Sequence, residues 1–185
     1  LDGSSPRLAY SGGGRVPWLD DHRLLVSRRV PYTAETRLYL ADLDAARPEP
    51  VLLGEYTNLR DVQVAPGGET IAFYLPFQEN PADSGVYVQR TTPGSPARKL
   101  PFFGAYRWRD DRWLYTLSFD ASQDVHALGL ADALTGTHRW LTDPETLPIR
   151  VANGDWSVSP DGTHIVYVDP EDYGLYLLEF AAGEA

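Results

Sequence analysis

The stretch at 156–178, WSVSPDGTHIVYVDPEDYGLYLL, constrains the fold more than any other part of the chain. Trp156 and Val158 alternate with their neighbours. Ser159-Pro160-Asp161-Gly162 reads as a tight turn, because Pro presets φ at the first central position and Gly accepts a positive φ. Ile165, Val166, Tyr167 and Val168 have the β-branched and aromatic composition of a buried strand. Asp169-Pro170-Glu171-Asp172 is a polar break, and a third strand follows over 174–180. An antiparallel meander of this kind cannot bury both faces alone, so its recurrence decides the architecture.

It recurs. In 59–89 (LRDVQVAPGGETIAFYLPFQENPADSGVYVQ), Val62 takes the place of Trp156 and Pro66-Gly67-Gly68 that of Pro160-Asp161-Gly162. Ile71-Ala72-Phe73 and Val86-Tyr87-Val88 supply the matching strands. Two further copies use a shorter turn: Trp18-Leu19-Asp20-Asp21 aligns with Trp108-Arg109-Asp110-Asp111. The anchors at 18, 62, 108 and 156 are separated by 44, 46 and 48 residues. A period in the forties with about four strands per unit is the signature of a β-propeller blade.

Ser159-Pro160-Asp161-Gly162, Ile165-Val166-Tyr167 and Leu175-Tyr176-Leu177 resemble the repeat of TolB-type propellers, an aromatic-x-x-Ser-Pro-Asp-Gly core followed by two hydrophobic strands. The copy at Ala65-Pro66-Gly67-Gly68 departs slightly, and the Asp-Asp copies are more degenerate. The resemblance implies a propeller fold and a binding scaffold. It names no ligand and carries over no catalytic residue.

The expected fold is therefore an all-β propeller of four antiparallel, four-stranded blades, read as one domain over 1–185. The blades span 16–53, 59–101, 106–141 and 154–180. Only three strands are visible in the last blade, which would leave an exposed edge. A short strand at 7–10, Arg7-Leu8-Ala9-Tyr10, is placed to fill that edge and close the ring. Two alternatives stand beside closure: part of a larger ring, or half of an eight-bladed dimer.

Composition narrows the function classes. The net charge is −10, from 26 acidic and 16 basic residues. Counterion release needs clustered Lys and Arg, so a chain this acidic is a poor candidate for binding nucleic acid or an anionic membrane, and neither nucleic acid nor membrane insertion is expected. No apolar run approaches the length of a membrane span. The chain has no Cys, which removes disulfides, thiolate zinc sites and cysteine nucleophiles. It also has no Met, and is read as a mature or excised product. The expected setting is periplasmic or extracellular.

In a propeller, the loops between second and third strands share a face with the loops that lead from one blade to the next. Candidate binding residues on that face are Arg28, Arg29 and Tyr32 in the first blade, and Tyr56 leading out of it. The second blade adds Phe77, Gln78 and Glu79, then Phe103 and Tyr106 on the way to the third. Asp124, Asp155 and Tyr173 complete the set. Long loops on a rigid scaffold are where recognition usually resides. Trp18, Trp108 and Trp156 follow the repeat and are expected in the core between blades. Asp20-Asp21 and Asp110-Asp111 read as turn formers that bond their own backbone, not as a cation site. The four His residues fall in different structural places. There is no Gly-x-Ser-x-Gly elbow and no phosphate loop before a helix.

No catalytic residue, metal or cofactor is expected. The leading expectation is a non-enzymatic scaffold for a protein, peptide or glycan. The alternatives are a substrate-gating propeller of a prolyl-oligopeptidase-like serine peptidase, and a structural subunit that self-assembles as a homodimer or larger array.

Overall fold

The computed structural model describes residues 17–44, 49–120, 125–143, 145–147, 149–151 and 154–180. Its strands form four antiparallel sheets. The first contains β1 (Arg23–Arg29), β2 (Glu35–Asp42) and β3 (Val51–Thr57). The second contains β4 (Arg60–Val64), β5 (Thr70–Leu75), β6 (Gly85–Arg90) and β7 (Arg98–Lys99). The third runs β8 (Ala105–Trp108), β9 (Trp113–Asp120), β10 (Val125–Asp132) and β11 (His138–Trp140). The fourth holds β12 (Trp156–Val158), β13 (His164–Val168) and β14 (Leu175–Glu179). In each sheet, strands adjacent in sequence are adjacent in space.

Turn chemistry sets the register. In the second sheet Gly68 N donates to Ala65 O at 2.9 Å with φ +76°. In the fourth, Gly162 N donates to Ser159 O at 2.9 Å with φ +72°. The Asp turns work through a side chain instead. Asp20 Oδ1 accepts from His22 N at 2.8 Å and Arg23 N at 2.7 Å. Asp110 Oδ1 accepts from Arg112 N and Trp113 N, each at 2.8 Å. Both are the self-bonding turns expected from sequence. Those backbone bonds and Arg23 hold Asp20 down at about 2.

The core lies between successive sheets, in three clusters. Leu25, Leu38 and Leu53 meet Ile71 and Phe73 between the first and second blades. Ala72, Val86 and Leu100 meet Tyr106 and Leu114 between the second and third. Tyr115, Leu128 and Leu130 meet Trp156 and Ile165 between the third and fourth. Burial of these apolar faces is the driving force that stacks the blades.

The tryptophan anchors show the direction of stacking. Trp156 is buried against the third blade, and Trp108 is half-buried with its Nε1 donating to Gln63 O of the second at 3.3 Å. Each anchor covers the blade before it. Trp18 was expected in the core and is instead 58% exposed. The physical reason is that no described blade precedes it; only an isolated bridge to Leu24 holds it. At the other end, Leu175, Tyr176 and Leu177 of β14 are exposed. The strand expected at 7–10 lies outside the described residues.

Candidate functional site

Three loops of the blade-connecting face end in an exposed aromatic with a left-handed backbone. Tyr32 (φ 62°) sits between β1 and β2, Phe77 (φ 52°) between β5 and β6, and Tyr173 (φ 56°) between β13 and β14. A positive φ is an outlier for a bulky residue, because Cβ crowds the following carbonyl. Tyr32 is fully exposed, Phe77 is 77% exposed and Tyr173 is 78% exposed. The corresponding loop of the third blade, with Asp124, lies outside the described residues.

Hydrogen bonds fix each tip. Around Tyr32, Val30 N donates to Glu35 O at 2.9 Å and Thr33 Oγ1 to Val30 O at 3.1 Å. Phe77 O accepts from Asn58 Nδ2 at 3.1 Å, and the Arg60 guanidinium lies 5.9 Å from the Phe77 ring centre. Around Tyr173, Asp172 accepts from Gly174 N and Tyr176 OH, both at 2.7 Å. These bonds hold the Asp172 carboxyl below its ordinary range.

Between the second and third blades the same face has a cleft of about 280 Å³. Phe103 is its exposed wall, meeting Tyr74 edge-on at 5.8 Å between ring centres. Asp61, with φ 46°, lies at its rim, and Arg107 Nη1 stands 4.0 Å from the Asp61 carboxylate. Gly104 is required here: a Cβ would come within 2.2 Å of Leu117 O. Sequence reasoning missed Asp61 and Tyr74. Alternation could have found Tyr74, since it faces away from buried Phe73.

The other candidates divide. Arg28, Arg29, Glu79 and Asp155 are exposed. Gln78 braces its loop, with Nε2 donating to Thr57 O and Pro76 O at 3.0 Å. Two tyrosines leave the surface. Tyr106, placed on the loop face by sequence, is 1% exposed and belongs to the core. Its strand starts at Ala105, and Tyr106 lies two residues before the half-buried Trp108, on the same side of the strand. Its OH donates to Asp61 O, and burial pushes its acidity far down, so the phenol stays protonated. Tyr56 is half-buried in the first interface, its OH donating to Gln89 Oε1 at 2.6 Å and its ring 4.6 Å from that of Phe73.

Among the described residues, no group of three or more His, Asp and Glu converges as for a metal, and no helix is long and apolar enough to cross a membrane.

No protein-family model matches the chain, and no curated protein matches it in sequence. Solved structures do. A protein assigned as TolB from Agrobacterium tumefaciens is 20% identical over 89% of this chain, with a TM-score of 0.57. An oligogalacturonate lyase in complex with manganese is 21% identical over 85%, with a TM-score of 0.65. The β-propeller domain of the trilobed protease from Pyrococcus furiosus is 16% identical over 86%, with a TM-score of 0.53. The chain spans 57%, 47% and 51% of those three structures. Similarity at this identity establishes architecture and not chemistry. The fold of this chain is that of a TolB-like β-propeller.

Proposed function

We propose that the chain is a non-enzymatic binding scaffold whose loop-rich face receives a protein or peptide partner through Tyr32, Phe77, Phe103 and Tyr173. The observation that carries this reading is the positive φ of three exposed aromatics. Such a conformation costs a bulky residue about 1–2 kcal/mol. Backbone and loop hydrogen bonds hold the three tips in place, but the rings themselves stay exposed and gain little burial within the described chain. Docking of a partner over them would offset the cost, since aromatic anchors dominate interface energetics. A glycan stacking on the same rings is the alternative ligand class.

The test replaces Tyr32, Phe77 and Tyr173 together by Gly, which accepts positive φ without strain. The variant is expected to melt no lower than the parent. A partner captured from a periplasmic or secreted extract, then purified, is expected to bind the variant at least about tenfold more weakly by calorimetry. Equal binding by parent and variant would refute the reading.

The periplasmic or extracellular setting belongs to the same proposal. So does closure of the last blade by the strand at 7–10, in place of a larger ring or a homodimer. The likeness to a protease propeller domain supports a second reading, in which the chain gates access to a peptidase. A hydrolase segment in the same gene would favour it.

A further inference from the structure

The opposite face carries a different site. A cavity of about 280 Å³ opens where the tight turns of the second and third blades meet. Arg90 ends β6, Arg98 lies in β7, and Asp111 and Arg112 lie in the turn after β8. Buried Val88 and Ala133 and exposed Leu134 add apolar wall.

The fold occupies these arginines unequally. Arg112 donates through Nε at 3.0 Å and Nη2 at 2.7 Å to Asp132 Oδ2. Asp132 is nearly inaccessible and also accepts from Leu134 N at 2.7 Å and Thr135 N at 3.1 Å. That carboxylate is thus committed to holding Arg112 and the Leu134 turn. Arg98 Nη2 donates to Ala133 O. Arg90 pairs through its backbone with Thr70, but its exposed side chain makes no hydrogen bond or ion pair among the described residues. Asp111, the one acid on the wall, accepts from Gly67 N.

Three arginines and one aspartate line the cavity, Asp132 lies behind Arg112, and neighbouring Asp110 is paired with Arg109 at 3.7 Å, which leaves a local balance of +1. The whole chain carries −10, so this is a cationic spot on an acidic molecule. The surrounding negative field disfavours a polyanion such as nucleic acid. A single carboxylate fits the charge, guanidinium matches it bidentately, and the Val88, Ala133 and Leu134 wall accepts an adjoining alkyl group. We infer that this cavity recognises a carboxylate carried by a peptide, as an acidic side chain or a C-terminus. The site lies on the face opposite the aromatic tips and is independent of them.

The experiment is an amide NMR titration of the full chain with four probes. One peptide, acetyl-Gly-Leu-Glu-Leu-Gly-amide, offers a side-chain acid. A second, acetyl-Gly-Leu-Gly-Leu, offers a free C-terminus. The Gln analogue of the first is the neutral control, and inorganic phosphate is the competing anion. At least one acid-bearing peptide is expected to give saturable shifts at Val88, Arg90, Arg112 and Leu134, and the one that does identifies the source of the carboxylate. Arg90→Gln, which removes no side-chain hydrogen bond or ion pair of the described fold, is expected to weaken it about tenfold. Raising the salt is expected to weaken it further. The inference is overturned by equal binding of the Gln analogue, by phosphate binding without either acidic peptide, by an unchanged affinity in Arg90→Gln, or by no saturation at about 10 mM, beyond the weakest useful affinity. Shifts confined to Tyr32, Phe77 and Tyr173 would belong to the other face and also count against it.

Discussion

Asp132 shows how much a single side chain organises. Its carboxylate joins the third blade's outer hairpin to Arg112 across the sheet. The guanidinium and the turn amides hold its carboxyl far below the usual 3.8. A folded-state value depressed in this way stabilises above the unfolded value, and the stabilisation is lost as pH falls toward the folded one. Asp20 and Asp161, held at about 2 by their own turns, act in the same direction. Stability is therefore expected to fall from about pH 4 downward. Asp132→Asn keeps an acceptor but removes the charge, and because Arg112 is half-exposed the cost is about 2 kcal/mol at neutral pH. Urea midpoints measured from pH 7 to pH 2 check both points: the variant starts lower, and its acid slope is shallower.

At the scale of the element, the turn glycines separate conformation from contact. Gly68 and Gly94 hold nearly the same φ, +76° and +79°. A Cβ on Gly68 would stand 1.9 Å from Leu19 O in the neighbouring blade, whereas one on Gly94 meets nothing within 4 Å. Gly94→Ala is expected to cost about 1 kcal/mol, the backbone term alone. Gly68→Ala is expected to cost at least about 3 kcal/mol, because the first two blades must separate to admit it. Chemical denaturation of the two variants compares them directly. Most strands were legible in the sequence, because turn residues and period-2 alternation are local: 70–75 was expected and Thr70–Leu75 is observed. The face of the loops was legible too, since topology fixes it. What escaped was which side chains on that face return inward. Tyr106 and Tyr56 were named from their place in the chain, while their burial depends on the neighbouring blade. The cleft with Asp61 and the arginine cavity each join segments from two successive blades, and no spacing rule reports such a meeting.

Over the whole molecule, each blade is covered by its neighbours, and three clusters do all the covering among the described residues. In a stack held by nearest-neighbour interfaces, a blade is as secure as the neighbours that cover it. The middle blades are sealed on both faces, whereas β14 shows Leu175, Tyr176 and Leu177 to solvent and Trp18 lies bare at the start. Amide hydrogens should then exchange on a gradient, slowest in β5, β6, β9 and β10 and fastest in β14. If residues 7–10 supply the missing strand, deleting 4–10 accelerates exchange in β14 and leaves β5 and β6 unchanged; an unaltered β14 would rule that closure out. The same gradient sets how the molecule comes apart. Among the described blades, heat or a protease would release β14 and the segment at Trp18 first, like outer slices leaving a loaf. The two central blades, with the arginine cavity between them, would be the last part of the protein to lose its shape.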